Sequence, residues 1–148
     1  MARTTKSKVT FYDIAPELTF VLVAKLAQAA WDKDKKLLVR CWDRAHADAL
    51  DEHLWTFKDE SFVPHEVCDE AERLHDREAR IVLVTRDSQP IAADILVQLA
   101  PCDLGFATGF DNVIDLVDHT DQARLEASRT RYRAWHNAGT KPELKNKP

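Results

Sequence analysis

Short apolar runs rich in β-branched residues recur along the chain, and longer segments with helical spacing of apolar residues separate them. The runs are Lys8–Tyr12, Lys36–Cys41, Arg80–Thr85, Asp94–Leu99 and Val113–Val117. They lie too far apart for simple hairpins, and continuous apolar runs are typical of strands covered on both faces. The pattern therefore predicts five buried strands of a mainly parallel sheet.

Three of the intervening or following segments place apolar residues on one helical face: Leu18–Lys33, Arg44–Trp55 and Asp121–Ala138. For the last of them we expect Asp118 or Thr120 as the N-terminal cap. Strands that alternate with helices indicate βαβ units. We therefore expect one α/β domain, a mainly parallel twisted sheet flanked by helices, with a Rossmann-like topology but no nucleotide-binding loop.

Two segments are less clearly patterned. Glu66–Ala79 is dense in charge and is equally consistent with an amphipathic helix and an irregular loop. Residues 141–148 are polar and rich in lysine, which is typical of a mobile terminus. The predicted organisation is thus a domain over residues 1–140 and a flexible basic C-terminal tail over residues 141–148.

Composition fits a single globular domain of 148 residues that are 45% hydrophobic. No apolar run approaches the roughly 20 residues that span a bilayer. The first residues are basic but lack the apolar segment of a secretory signal, so we expect a cytoplasmic protein with no membrane partner. Cys41, Cys68 and Cys102 are odd in number and widely spaced, which predicts reduced thiols.

Charge is distributed unevenly within the net charge of −4. Residues 1–123 carry 14 Lys/Arg and 23 Asp/Glu, a net charge of −9. Residues 124–148 carry seven Lys/Arg and two Asp/Glu, a net charge of +5. The body should repel nucleic acid, while the C-terminal segment should attract an acidic partner.

Signatures of catalysis or of cofactor binding are weak. The segment G-F-A-T-G-F at residues 105–110 lacks the spacing and the Lys-Ser/Thr of a phosphate loop. His65, Cys68 and His75 have no paired spacing and no fourth ligand for a metal. We therefore predict no cofactor, no metal and no catalytic residues.

Large apolar side chains are concentrated after the second predicted helix, among acidic and polar residues. They are Trp55, Phe57, Phe62, Val63 and Pro64. A loop of this composition either packs over its own core or is offered to a partner, and the residues alone leave both readings open.

A second candidate surface lies on the last predicted helix. At helical spacing, one stripe carries Leu125, Arg129, Tyr132 and His136, with Arg133 beside it. Guanidinium groups can bind carboxylates in bidentate fashion, and a tyrosine ring can pack an apolar side chain, so the stripe suits an acidic peptide that ends in a hydrophobe. Two other readings stay open, namely core residues beside a solvated face, and a nucleic-acid-binding helix.

Several motifs occur together and in one order across nearly the whole chain. They are L-D-E-x-L-W followed by E-S-F-V-P-H, T-F-Y near the start, D-I-L-V-Q-L, F-D-N-V-I-D-L-V and R-x-R-Y-R-A-W-x-x-A-G. In this combination the chain resembles the chi subunit of the bacterial DNA polymerase III holoenzyme. Chi is a clamp-loader-associated protein that links the replisome to single-stranded DNA-binding protein.

The resemblance implies a binding site for the acidic C-terminal tail of single-stranded DNA-binding protein. By similarity, Arg129 would receive the terminal carboxylate of the tail. Val117 and Tyr132 would line the pocket for its last side chain, and Arg133 would meet upstream acids.

One position departs from the family pattern. The family often has a basic residue one turn before the matching arginine, where this chain has Leu125 with Arg124 next to it. Because one residue turns a side chain by about 100° on a helix, the contribution of Arg124 to tail binding is an open point.

The resemblance also implies a docking surface for the psi subunit of the clamp loader, or for a helicase that competes with psi. That surface would contain Trp55, Phe62, Val63 and Pro64, although Trp55 could instead support the loop from within. We therefore expect a non-catalytic adaptor at the replisome, which would be classed with DNA-directed DNA polymerases only as a holoenzyme subunit. The alternatives are a small α/β enzyme and a direct binder of single-stranded nucleic acid.

Overall fold

The computed structural model describes residues 7–56 and 63–148. Within them the longer helices are α1 (Thr19–Asp32), α2 (Arg44–Thr56), α3 (Leu104–Ala107) and α4 (Gln122–Asn137). The strands are β1 (Lys8–Tyr12), β2 (Leu37–Arg40), β3 (Glu66–Val67), β4 (Ile81–Val84), β5 (Ile95–Gln98), β6 (Asn112–Leu116) and β7 (Glu143–Lys145). These strands form one sheet in the order β3-β4-β2-β5-β6-β1-β7, and each pairing among them is parallel. The predicted α/β fold is confirmed.

Both faces of the sheet are covered, because successive strand residues point to opposite faces. Leu37 and Val39 of β2 join a cluster with buried residues of α1 and α2, which defines the α1/α2 face. Leu38, between them, joins Phe11 and Trp135 in a cluster with residues of α3 and α4, which defines the α4 face. Burial of each such side chain contributes about 1.5–3 kcal/mol, so two-sided burial explains why the runs lack polar alternation.

The predicted strands and helices match observed elements to within one or two residues at each end. The stripe of Ala47, Leu50 and Leu54 on α2 is buried, and Cys41 is fully buried in the core of the α1/α2 face. The strands β3 and β7 and the short helix α3 were not predicted. Among the described residues, none of the helices combines the length and the hydrophobicity needed to cross a membrane.

The ambiguous segment Glu66–Ala79 contains β3 and a single 3-10 turn at Ala71–Arg73, and no α-helix. Its carboxylates take up backbone N–H groups that a helix would need for itself. Glu66 accepts from the amide of His75 at 2.8 Å and from the amide of Asp76 at 3.3 Å. These longer-range bonds replace the i,i−4 ladder, so the loop reading is confirmed.

Two expectations for the C-terminal region differ from the structure. The N-terminal cap of α4 is Asp121, whose side chain accepts from the amide of Arg124, and neither Asp118 nor Thr120. Asp118 instead accepts from the amide of Thr120, which orders the turn before the helix. Within the expected flexible tail, residues 143–145 form β7 beside β1, with Leu144 opposite Phe11.

Candidate peptide-binding surface

The orientation of α4 is set by two neighbouring residues that point to different strands. Arg131 reaches β6, where its Nε donates to Asp115 Oδ2 at 2.8 Å. The ring of Tyr132 lies 5.3 Å from the ring of Phe11 on β1, and its hydroxyl donates to the carbonyl of Pro142 at 3.3 Å. Tyr132 therefore marks the side of α4 that faces β1 and the sheet edge at β7.

Four of the predicted tail-binding residues lie on this side of the molecule. Val117, directly after β6, donates its amide to the carbonyl of Tyr12 at 2.9 Å, and its side chain packs with Tyr132 against the α4-face core. At 100° per residue, Arg129 lies about 60° from Tyr132 around the helix and Arg133 about 100° from it. The structure thus places two half-buried apolar side chains next to two exposed guanidinium groups.

Arg129 is held by one weak contact. Its Nη1 lies 3.0 Å from Glu126 Oε1, and 57% of the Arg129 side chain is exposed. Exposed pairs at this helical spacing contribute about 0.3–0.5 kcal/mol. An incoming carboxylate can therefore displace Glu126 at low cost.

Arg124 is not brought to this surface. Its guanidinium lies 4.2 Å from the centre of the Trp42 ring and 3.9 Å from Asp118. It borders an open cleft of about 580 Å³ at the carboxyl ends of β2, β5 and β6, which Phe20 and His46 also line. On the helix, Arg124 and Arg129 are about 140° apart, so their side chains leave α4 on different sides.

A buried ion pair beneath α4 was not predicted from the sequence. Asp115 is fully buried, and Arg131 donates to its two carboxylate oxygens at 2.8 and 3.1 Å. Gln98 Nε2 donates at 3.1 Å and the Leu116 amide at 2.7 Å. Burial raises the pKa of Asp115, and the neighbouring guanidinium counteracts that rise. The aspartate inside the run V-I-D-L-V was the available signal, since a carboxylate in a buried strand requires a partner.

The other candidate surface, which contains Trp55, Val63 and Pro64, is organised around His65. Its ring stacks on Trp55 with 4.2 Å between centroids, its Nδ1 donates to the carbonyl of Val63 at 2.9 Å, and its Nε2 lies 3.0 Å from Asp51 Oδ1. Trp55 remains 46% exposed, and Val63 and Pro64 are half-buried. Phe62 lies outside the described residues. His65 therefore joins the end of α2 to the segment that leads into β3.

The two surfaces lie at opposite ends of the sheet. Trp55 and Val63 flank the entry to β3, the first strand in the spatial order, whereas Tyr132 lies over β1 next to the last strand, β7. Six strand spacings separate β3 from β7, which is about 29 Å at about 4.8 Å each. The two surfaces therefore do not overlap.

Within the described part of the chain, no group of three or more His, Cys, Asp or Glu side chains is close enough to hold a metal ion. Burial raises the pKa of the Cys41 thiol to about 12. Burial, with Asp87 nearby, also raises the pKa of Cys102. These two thiols are therefore protonated at neutral pH and lack the character of nucleophiles.

Comparison with proteins of known identity places the chain among subunits of DNA polymerase III. It is 36% identical over 118 residues to DNA polymerase III subunit chi of Escherichia coli (strain K12), covering 80% of this chain and 78% of that protein. It is 29% identical over 136 residues to the subunit chi of Pseudomonas aeruginosa, covering 90% and 92%. The Haemophilus influenzae subunit chi is 30% identical over 133 residues, covering 85% and 91%.

Among solved structures, the fold is similar to that in the crystal structure of T4 UvsW, with a TM-score of 0.67 and 12% identity. The similarity covers 98% of this chain and 42% of the UvsW chain, and at this identity it concerns the fold alone. The profile of the family described as DNA polymerase III chi subunit, HolC, matches residues 7–143. The parallel α/β fold and nearly full-length similarity to three chi subunits show that this chain belongs to the family of DNA polymerase III chi subunits.

Proposed function

We propose that this chi-family subunit is a non-catalytic adaptor that connects the clamp loader of DNA polymerase III to the acidic C-terminal tail of single-stranded DNA-binding protein. The observation that carries the proposal is the stripe on α4. Exposed guanidinium groups lie there beside the half-buried Tyr132 and Val117, in a segment of net charge +5 on an otherwise acidic chain.

The chemistry of the stripe fits a free C-terminus that follows a hydrophobic side chain. Arg129 offers a planar fork of N–H donors that can bind a carboxylate with two hydrogen bonds. Tyr132 and Val117 supply an apolar surface for the last side chain, and Arg133 can attract acids upstream of it. Arg124 is left out of the proposed site because it faces Trp42 on another side of α4.

The surface around Trp55, Val63 and Pro64 is proposed to join the clamp loader through psi, with a helicase as a competing partner. An exposed tryptophan among polar residues is the usual composition of a binding hot spot. Phe62 belongs to this proposed surface on the basis of its motif. Since His65 stacks on Trp55, we expect the ring of Trp55 to be presented in a fixed orientation.

The benefit of such an adaptor is local concentration. A small peptide interface gives a Kd on the order of micromolar. Single-stranded DNA-binding protein displays several tails and the polymerase is tethered, so repeated weak contacts produce effective retention.

The proposal is tested by fluorescence anisotropy with a labelled peptide of the cognate tail. We expect saturable binding by the wild type, weakening with salt, and at least tenfold weaker binding by Arg129→Ala. Arg44→Ala is the matched control, because Arg44 is also an exposed helix arginine that pairs with one carboxylate, Asp48 at 2.8 Å. Absence of binding by folded wild type, or equal loss in both variants, would overturn the tail assignment.

The second contact is tested by isothermal titration with purified psi. Phe62→Ala and Trp55→Ala should each weaken psi binding and leave the affinity for the tail peptide unchanged, because β3 and β1, beside which the two surfaces lie, are five strand spacings or about 24 Å apart. Normal psi binding by both folded variants would refute the location of this surface.

A further inference from the structure

Among residues 7–56 and 63–148, no strand pairs with the outer side of β7, which is therefore an edge strand. Its other side pairs with β1, where the amide of Asp13 donates to the carbonyl of Lys145 at 2.7 Å. The N–H and C=O of one strand residue point to the same side, and successive residues alternate. Because Lys145 faces β1, the backbone N–H and C=O of Leu144 face the open edge.

The side chain of Leu144 lies on the same face of the sheet as α4. Leu144 is in register with Phe11, whose ring contacts Tyr132. Leu144 is 61% exposed, more than any other large hydrophobic residue in the described part of the chain. Leu144 and Tyr132 are thus both neighbours of Phe11, which extends the apolar surface of the proposed tail site toward the sheet edge.

The charged side of α4 faces this same edge. Around the helix axis, Arg131 and β6 lie on one side of Tyr132. On the other side of Tyr132 lie Leu125 at about 20°, His136 at about 40° and Arg129 at about 60°. The α4 stripe and β7 therefore flank one surface at this edge of the sheet, which we call the groove. Lys141 and Lys147 are exposed on either side of β7 and add positive charge near this edge, whereas the side chain of Lys145, in register with Tyr12, points to the α1/α2 face.

We propose that an acidic peptide in extended conformation adds to β7 as an eighth strand and contacts Leu144 with a side chain on the α4 face. The inference rests on the proposed function, since the peptide is the tail of single-stranded DNA-binding protein. It assigns the backbone of Leu144 and the side chain of Leu144 to the site, beyond the α4 stripe. Pairing along an open edge is an established way to bind extended peptides, with main-chain hydrogen bonds supplying affinity.

The composition of the edge selects for acidic strands. Short edge strands flanked by lysine and proline resist pairing with ordinary strands. Pro142 precedes β7, and Lys141, Lys145 and Lys147 are exposed around it. The one acid of the strand, Glu143, is also exposed and lies 4.0 Å from Lys8. An acidic peptide neutralises these lysines, whereas a neutral or basic strand leaves them unpaired or repels them.

The first arm of the test measures the tail peptide against four proteins: wild type, Leu144→Ala, Arg129→Ala and Leu18→Ala. Leu18 is the control because it is also an exposed leucine, at 38%, outside the groove. We expect Leu144→Ala to weaken binding about fivefold through lost apolar contact, and Leu18→Ala to leave it unchanged.

The second arm reports backbone pairing directly. Peptides are N-methylated at one amide at a time, and we expect binding to fall at every second position, because alternate amides face β7. By hydrogen exchange, the Leu144 amide should become protected at least tenfold when the peptide is bound. The Lys145 amide faces β1 and should change little.

The outcomes separate the inference from the function on which it rests. In one outcome, Arg129→Ala loses peptide binding while Leu144→Ala and the methylated peptides keep full affinity and the exchange rate of the Leu144 amide does not change. In that case the tail binds without strand addition, and the inference is overturned. If folded wild type does not bind the peptide, the proposed function itself fails. Strand addition is supported if three results occur together: Leu144→Ala binds the peptide about fivefold more weakly, methylation weakens binding at every second amide, and the bound peptide protects the Leu144 amide from exchange.

Discussion

Replacing Arg131 with methionine would leave the carboxylate of Asp115 buried without its counter-charge. The substitution retains most of the aliphatic volume and removes the donors at 2.8 and 3.1 Å. Removing one partner of a buried pair costs about 3–5 kcal/mol. The Leu116 amide at 2.7 Å and Gln98 Nε2 at 3.1 Å remain, so we expect a loss near the lower end, about 3 kcal/mol at pH 7.

The loss should depend on pH with a definite sign. Burial raises the pKa of Asp115, and without Arg131 nothing comparable opposes that rise. A carboxyl group whose pKa is higher in the folded than in the unfolded protein binds more protons when folded. The free energy of unfolding of Arg131→Met should therefore fall as pH rises from about 4 toward neutrality, and the deficit relative to wild type should shrink on acidification.

The assay is urea unfolding followed by circular dichroism at pH 5 and pH 7, with wild type, Arg131→Met, Asp115→Asn and the double variant. We expect Asp115→Asn to recover at least half of the stability lost in Arg131→Met, because an amide needs no counter-charge. A loss below about 1 kcal/mol at pH 7, an unchanged loss at pH 5, or no recovery in the double variant would refute the reasoning.

Three further predictions concern residues outside this pair. Arg124→Ala should lower stability by about 0.5–1 kcal/mol through loss of its contact with Trp42, and should change tail-peptide affinity less than twofold, by urea unfolding and anisotropy. Partial burial raises the pKa of Glu66, but hydrogen bonds from His75 and Asp76 outweigh it and hold the pKa below the ordinary value. Glu66→Gln should therefore cost about 1 kcal/mol at pH 7 and less at pH 3, by thermal unfolding at both pH values. Cys41, fully buried with a pKa raised to about 12, should react with a disulfide reagent at pH 8 only as fast as the protein unfolds.

The main elements were predictable because local pattern and tertiary environment agree in them. The five β-branched runs are strands, since each is covered on both faces, and α2 buries the stripe that its spacing predicts. Strands β3 and β7 were missed because two or three residues carry no periodicity. Their pairing depends on β4 and β1, which lie elsewhere in the sequence.

The candidate site was predictable only where helical geometry suffices. Helical spacing groups Tyr132 with Leu125, and both are half-buried. It could not show that Arg124 turns to Trp42, because their contact joins residues 82 positions apart. Leu144 lies in the predicted tail, because its pairing with Phe11 is set only by the sheet order.

The position of β1 between β6 and β7 has a consequence for how the chain folds during synthesis. Phe11 is in register with Asp115 on one side and Leu144 on the other, so its pairing partners leave the ribosome more than 100 residues later. Such non-local pairing slows folding, and both edges of an apolar strand stay open meanwhile. The half of the sheet built from β2, β4 and β5 can associate earlier, since its strands lie within residues 37–98. We therefore expect a nascent intermediate with β1 unpaired, whose last step of maturation is the docking of β7 and the completion of the groove beside α4.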